Sequence, residues 1–130
     1  MAPEMIDRKD YGNEVDWWAL GTLLYEMLAG TAPFVCENNN KNDLYNRIRS
    51  GKIKFPRYFT SEAVAVIKGL LQRDAAARLK VYQVKTHAFF KSTHWKKMLN
   101  LEVPPPFRPK IADDNDVSNF DNSYVCMFCF

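Results

Sequence analysis

Three carboxylates and one arginine sit where their charge needs an explanation. Glu26 belongs to VDWWALGTLLYEML (15–28), a segment with two adjacent tryptophans and a run of aliphatics. On a 3.6-residue helix, Trp17, Leu20, Gly21, Leu24 and Leu28 share one face. Trp18, Leu23, Tyr25 and Met27 widen it, and only Thr22 and Glu26, four apart, leave a polar strip. A carboxylate in that strip needs a positive partner or water. Glu26 is therefore a candidate ligand for a cationic group, with a structural hydrogen bond as the alternative. Asp16 stands at the start of the same segment, where a carboxylate can accept backbone N–H groups. Arg78 follows Asp74 by four residues, the spacing of an exposed helical ion pair that contributes only about 0.3–0.5 kcal/mol.

Metal chemistry has little support. Cys126 and Cys129 form a C-x-x-C pair, but a metal site needs more ligands, and Cys36, His87 and His94 have no partner at ligand spacing. No metal is expected. Three cysteines make an odd count without a disulfide framework, which points to a reducing compartment. MAPEMIDRKD has no apolar leader. The expected location is the cytoplasm, with the nucleus also open. A net charge of +3 is too mild to imply a nucleic-acid partner. Arg47, Arg49, Lys52, Lys54 and Arg57 read as a solvated face. The apolar segment is too short to span a bilayer and carries Glu26, so no membrane partner is expected.

The elements that must hold these residues read as helical. Residues 1–14 are polar and irregular, with Pro3 and Gly12 as breakers. The 15–28 helix, apolar nearly all round, is expected to be buried on nearly all sides and to end at Gly30. An asparagine-rich loop, CENNNKND (36–43), leads to a short helix with Leu44, Tyr45 and Ile48 apolar and Gly51 as its stop. Thr60 or Ser61 caps the next helix, whose inner stripe is Ala63, Val66, Ile67, Leu70 and Leu71. AAARL is a turn or a short continuation. Val81, Val84 and Phe89 point inward from one or two further turns, and STHWKKML is a short helix. From Glu102 onward, PPPFRPK and the acidic ADDNDVSNFDNSY form an extended tail. No run of residues makes a convincing strand, so the fold class is mainly α.

Several of these features occur together in one order. APE (2–4), D-x-W-x-L-G (16–21), G-x-x-P-F (30–34), LLQRDAAAR (70–78) and HAFF (87–90) together resemble the helical lower lobe of eukaryotic protein kinases. VDWWALGTLLYEM, SGKIKFP and SNFD resemble the AGC group of serine/threonine kinases, in particular its cyclic-AMP-dependent pattern. The resemblance implies the second half of a kinase domain over 1–90 and an AGC-type C-terminal tail over 91–130. It further implies that Asp16 accepts hydrogen bonds from the catalytic-loop backbone, and that Glu4 and Arg78 form a buried ion pair. Glu26 would bind an arginine two residues before the phosphorylated Ser or Thr, so substrates would carry basic residues there. Phe120 would lie beside the adenine of ATP, the alternative being a hydrophobic anchor on the tail.

The sequence also departs from the pattern. The glycine-rich loop, the ATP lysine, the H-R-D catalytic loop and the DFG aspartate are not in it. ATP and Mg2+ are thus expected in a complete kinase, with none bound strongly by this chain alone and no catalytic residue of its own. Met1 reads as an internal kinase residue. A half-lobe would expose apolar surface and depend on a partner, such as a regulatory subunit or the missing N-terminal half. Leu79 runs into KVYQV without the glycine-containing loop usual in AGC members, and CMFCF lacks the spacing of an F-x-x-F motif. Two other readings stay open: a non-catalytic kinase-like module that docks a kinase or substrate, and a translation product with no stable fold.

Overall fold

The computed structural model describes residues 1–36, 40–121 and 123. The Cys126/Cys129 pair and the middle of the asparagine-rich loop lie outside them. The described residues form six α-helices, two 3₁₀ turns and no strand. None of the helices is long and apolar enough to cross a membrane. The chain divides into two compact units, 1–93 and 94–130.

The first unit begins with a helical turn, α1 (Pro3–Ile6), where irregular chain is expected. Pro3 starts it instead of breaking it, because the first helical position needs no N–H and proline's φ is already helical. Helix α2 (Glu14–Ala29) follows, flanked by Asn13, and ends at Gly30 with φ 72°. That left-handed residue donates its N–H to the Glu26 carbonyl at 2.8 Å, closing the last turn. Helix α3 (Lys41–Ser50) is capped by Asn40, whose side chain accepts the Asn42 N–H at 3.0 Å. Helix α4 (Ser61–Leu70) is capped by Thr60, whose hydroxyl accepts the Ala63 N–H at 3.2 Å. Asp74 caps a 3₁₀ turn over Ala75–Ala77 through the Ala76 N–H at 3.0 Å. Helix α5 (Val81–Thr86) and a second 3₁₀ turn, Ala88–Phe90, complete the unit.

The core lies between α2 and α4. Ala63, Val66, Ile67, Leu70 and Leu71 are all buried, along one stripe of α4 and its end. Gly21 lets the helices approach: a Cβ there would stand 2.8 Å from the Leu70 Cβ and 2.9 Å from the Leu71 Cδ2. An aromatic layer covers one side of α2. Trp18 stacks on Phe34 with centroids 5.8 Å apart, and Tyr25 meets Phe55 at 6.0 Å and Phe59 at 5.7 Å. The Tyr25 hydroxyl donates to the Lys54 carbonyl at 2.6 Å, and burial pushes its pKa up.

Three expectations need correction. Helix α2 is buried on one side only: Trp18, Gly21 and Tyr25 are buried, whereas Leu23 is 55% and Met27 73% exposed. The buried face centres on Trp18, Gly21 and Tyr25, with Trp17, Leu20 and Leu24 partly buried at its border and Leu28 exposed. Helix α4 and the aromatic layer cover that side, and no described element covers Leu23 and Met27. Asp16 is not the cap, since α2 starts two residues before it. Val81 is half exposed, and α5 buries Val84 alone.

The second unit holds α6 (Trp95–Leu99) and a series of turns. Carboxylates replace regular backbone pairing in its acidic stretch. Asp116 accepts the N–H groups of Ala112 at 2.7 Å and Ser118 at 2.8 Å, and Asp113 accepts that of Asn115 at 2.8 Å. The bonds from Ser118 and Ala112 hold the Asp116 carboxyl below its ordinary pKa.

Candidate functional site

Arg78 is the centre of the most connected polar cluster in the first unit. It sits just past the Ala75–Ala77 turn and is 1% exposed. Two of its nitrogens clamp one carboxylate: Nη1 donates to Glu4 Oε1 at 2.8 Å and Nη2 to Glu4 Oε2 at 3.2 Å. Nη1 also donates to the Glu14 carbonyl at 2.6 Å, and Nε to the Gln72 carbonyl at 3.0 Å. The guanidinium carbon lies 5.3 Å from the Trp18 ring centroid, giving a cation–π contact. The planar fork suits this task, because it meets a carboxylate in two places while its remaining N–H groups reach carbonyls.

The pair is chemically satisfied. Among the described residues, no buried side-chain nitrogen or oxygen lacks a hydrogen-bond partner. Burial pushes the Glu4 carboxyl up, but the Arg78 hydrogen bonds, its own backbone N–H and the Arg78 charge outweigh this and leave it below the ordinary value. Asp74, the helical-spacing alternative for Arg78, uses its carboxylate on the Ala76 N–H instead. A second link runs from the end of α1 to α3: Arg49 Nε donates to Asp7 Oδ1 at 2.6 Å. This bond holds the Asp7 carboxyl below its ordinary pKa. The pair is solvated, so water and salt screen it and it adds little to stability.

The other candidates lie apart from this cluster. Asp16 is exposed in the first turn of α2, and its carboxylate has no hydrogen bond among the described residues. Glu26 is exposed ten residues further along the same helix, also without a side-chain partner there. Asp16, Leu23, Glu26 and Met27 all fall on the uncovered side of α2. Phe120 belongs to the second unit, where its N–H donates to the Val117 carbonyl at 2.9 Å and its side chain is 66% exposed. Among the described residues, no three His, Cys, Asp or Glu side chains converge to hold a metal ion.

Residue spacing gave no sign of Trp18 beneath Arg78, of the Glu14 and Gln72 carbonyls, or of the Asp7–Arg49 link. Two of these partners are backbone groups, which carry no side-chain signature. The D-A-A-A of 74–77 was the one readable sign, since Asp before small residues caps turns.

The helical unit with its buried Glu–Arg clamp has the organisation of a kinase lower lobe, and the protein kinase domain model matches residues 1–90. The chain belongs to the protein kinase family. A Dictyostelium discoideum protein described as a probable serine/threonine-protein kinase is 43% identical over 95% of this chain. Protein kinase C and the RAC serine/threonine-protein kinase of Drosophila melanogaster are each 38% identical over 96% of it. The chain spans 27%, 17% and 21% of those three relatives.

Proposed function

We propose that this chain is the large-lobe portion of an AGC-group serine/threonine kinase of the cyclic-AMP-dependent type. That kinase transfers the γ-phosphate of ATP to Ser or Thr in proteins with basic residues before the acceptor. The buried Glu4–Arg78 clamp carries the reading. It fixes the chain just before α2 against the turn at 75–77, as positioning chemistry requires of a scaffold. Asp16 then accepts backbone N–H groups of the catalytic loop, and Glu26 binds the substrate arginine. Both are supported by their exposure on one side of α2. Phe120 supplies a nucleotide contact from the tail. ATP and Mg2+ are held mainly by residues of the complete kinase beyond those described here, working in the cytoplasm and the nucleus. Protein substrates, a regulatory subunit and the other half of the kinase domain are the partners.

The test is steady-state kinetics of a complete kinase containing this chain, with a peptide bearing arginines before serine and a matched peptide bearing alanines. Glu26→Gln should raise KM for the arginine peptide about tenfold, the loss of one charge-assisted pair, and leave KM for ATP unchanged. Equal KM values for both peptides in the unsubstituted enzyme overturn the basic-directed reading.

A non-catalytic docking module is the second reading, favoured by the exposed Leu23 and Met27 on α2. Phosphate transfer to the arginine peptide by this chain alone would exclude it.

A further inference from the structure

Two clefts flank the segment from Ser50 to Phe55, which joins α3 to the turn before α4. One, of about 330 Å³, opens toward Thr31–Val35 and is lined by Arg47, Lys52 and Lys54. The other, of about 390 Å³, opens toward the end of α4 and is lined by Lys52, Lys68 and Arg73. Lys52 belongs to both, and neither has an Asp or Glu among its lining residues. Three other cations of this unit do have acidic partners: Arg49 and Lys9 share Asp7, and Arg78 has Glu4. Here only Arg47 is matched, by Asp43 at 3.1 Å. Lys52 and Lys54 have no ion-pair partner among the described residues. Arg73 is fixed by the Ile48 carbonyl at 3.0 Å and by the Gly51 carbonyl, bonds that orient its guanidinium without cancelling its charge. Lys68 Nζ stands 5.7 Å from the Phe55 ring centroid.

Like charges concentrated in concave walls raise the local potential and attract the opposite sign. These walls are not purely polar. Phe34 and Val35 line the first cleft, and Ile53, Phe55 and Leu71 the second. Each cleft is at the small end of the range for ligand pockets, about 300–1,000 Å³. Gly51 and Lys52 line both, so an occupant that fills the two must fit small clefts and must offer both carboxylates and apolar side chains. We propose that the paired clefts form a docking groove for an acidic peptide segment of a partner protein, one carrying a large apolar side chain between its carboxylates. A bilayer surface presents no narrow element to enter such clefts. A single-stranded nucleic acid needs open aromatic faces for its bases.

The experiment is fluorescence anisotropy on the full chain with labelled EEEFEEE and its uncharged counterpart QQQFQQQ. Binding of the acidic peptide, weakening as salt rises, is the expected result. Lys52→Glu with Lys68→Gln should weaken it about tenfold or more, because both changes remove attraction at the groove. Lys96→Glu with Lys97→Gln makes the same change in net charge in the other unit and should alter binding less than about twofold. Lys52→Glu alone, at an exposed residue without an ion pair, keeps the test open if the double variant loses its circular-dichroism signal. The proposal is overturned by equal weakening from both pairs, by no binding, or by QQQFQQQ binding as well as EEEFEEE. It is also overturned if a 20-nucleotide single strand or phosphatidylserine vesicles bind more tightly through the same lysines.

Discussion

Glu4 and Glu26 are the same side chain in two helices of one unit, and their surroundings make them different chemical objects. Glu4 is buried, both of its oxygens are held by Arg78, and its pKa lies below the ordinary value. Glu26 is exposed, and none of the described residues reaches it. A carboxylate whose bonds are all made inside the protein has nothing left for a ligand, and its loss strands a buried cation. A solvated carboxylate contributes little to the fold and keeps its hydrogen-bonding capacity free. The clamp ties α1 to the turn at 75–77 on one side of α2, while Glu26 stands on the other side, facing outward.

The largest expected effect tests that separation directly. Arg78→Ala should cost about 3–5 kcal/mol, because it leaves a buried carboxylate without its cation. Glu26→Ala should change stability by less than about 0.5 kcal/mol. Urea unfolding followed by circular dichroism measures both, and similar losses would erase the distinction.

Acid should sharpen the contrast next. The folded pKa of Glu4 lies below its ordinary 4.5. Its contribution is thus complete above that value and is lost as pH falls through the folded pKa. Tm should be flat above about pH 5 and fall below it. Glu4→Gln should start lower and lose part of that fall, leaving the share due to the other carboxyls held below their ordinary values: Asp7, Asp43, Glu62, Asp116 and Asp121. A Glu4→Gln variant with an unchanged acid limb would separate the clamp from acid stability.

The smallest effect concerns the outward side. Leu23→Gln with Met27→Gln should leave stability within about 0.5 kcal/mol per site, because both side chains are exposed. Self-association, read by light scattering, should decrease. A large loss of stability would mean that these side chains are packed.

What could be read from the sequence divides along similar lines. The stripe of α4 follows from its period, and Thr60 and Gly30 mark helix ends by their own chemistry. The apolar content of α2 was equally plain, but its orientation was not. Trp18 and Tyr25 face inward because Phe34, Phe55 and Phe59 meet them there, and those partners belong to later segments. A helix with apolar residues on every side gives no local sign of which neighbour arrives. Arg78 shows the same limit: its spacing points to Asp74, while the carboxylate it holds is 74 positions away. Asp16 was misread as a cap because the helix begins earlier, at Glu14, without any side-chain cap.

That separation of 74 positions also has a consequence in time. Helices α2, α3 and α4 can begin to form from nearby residues, but the ends bridged by Arg78 must wait until the intervening chain has folded back. An interaction made after the rate-limiting barrier slows the reverse reaction more than it speeds the forward one. If the clamp closes after that barrier it acts as a latch on the assembled unit, and Arg78→Ala would then speed unfolding more than it slows folding.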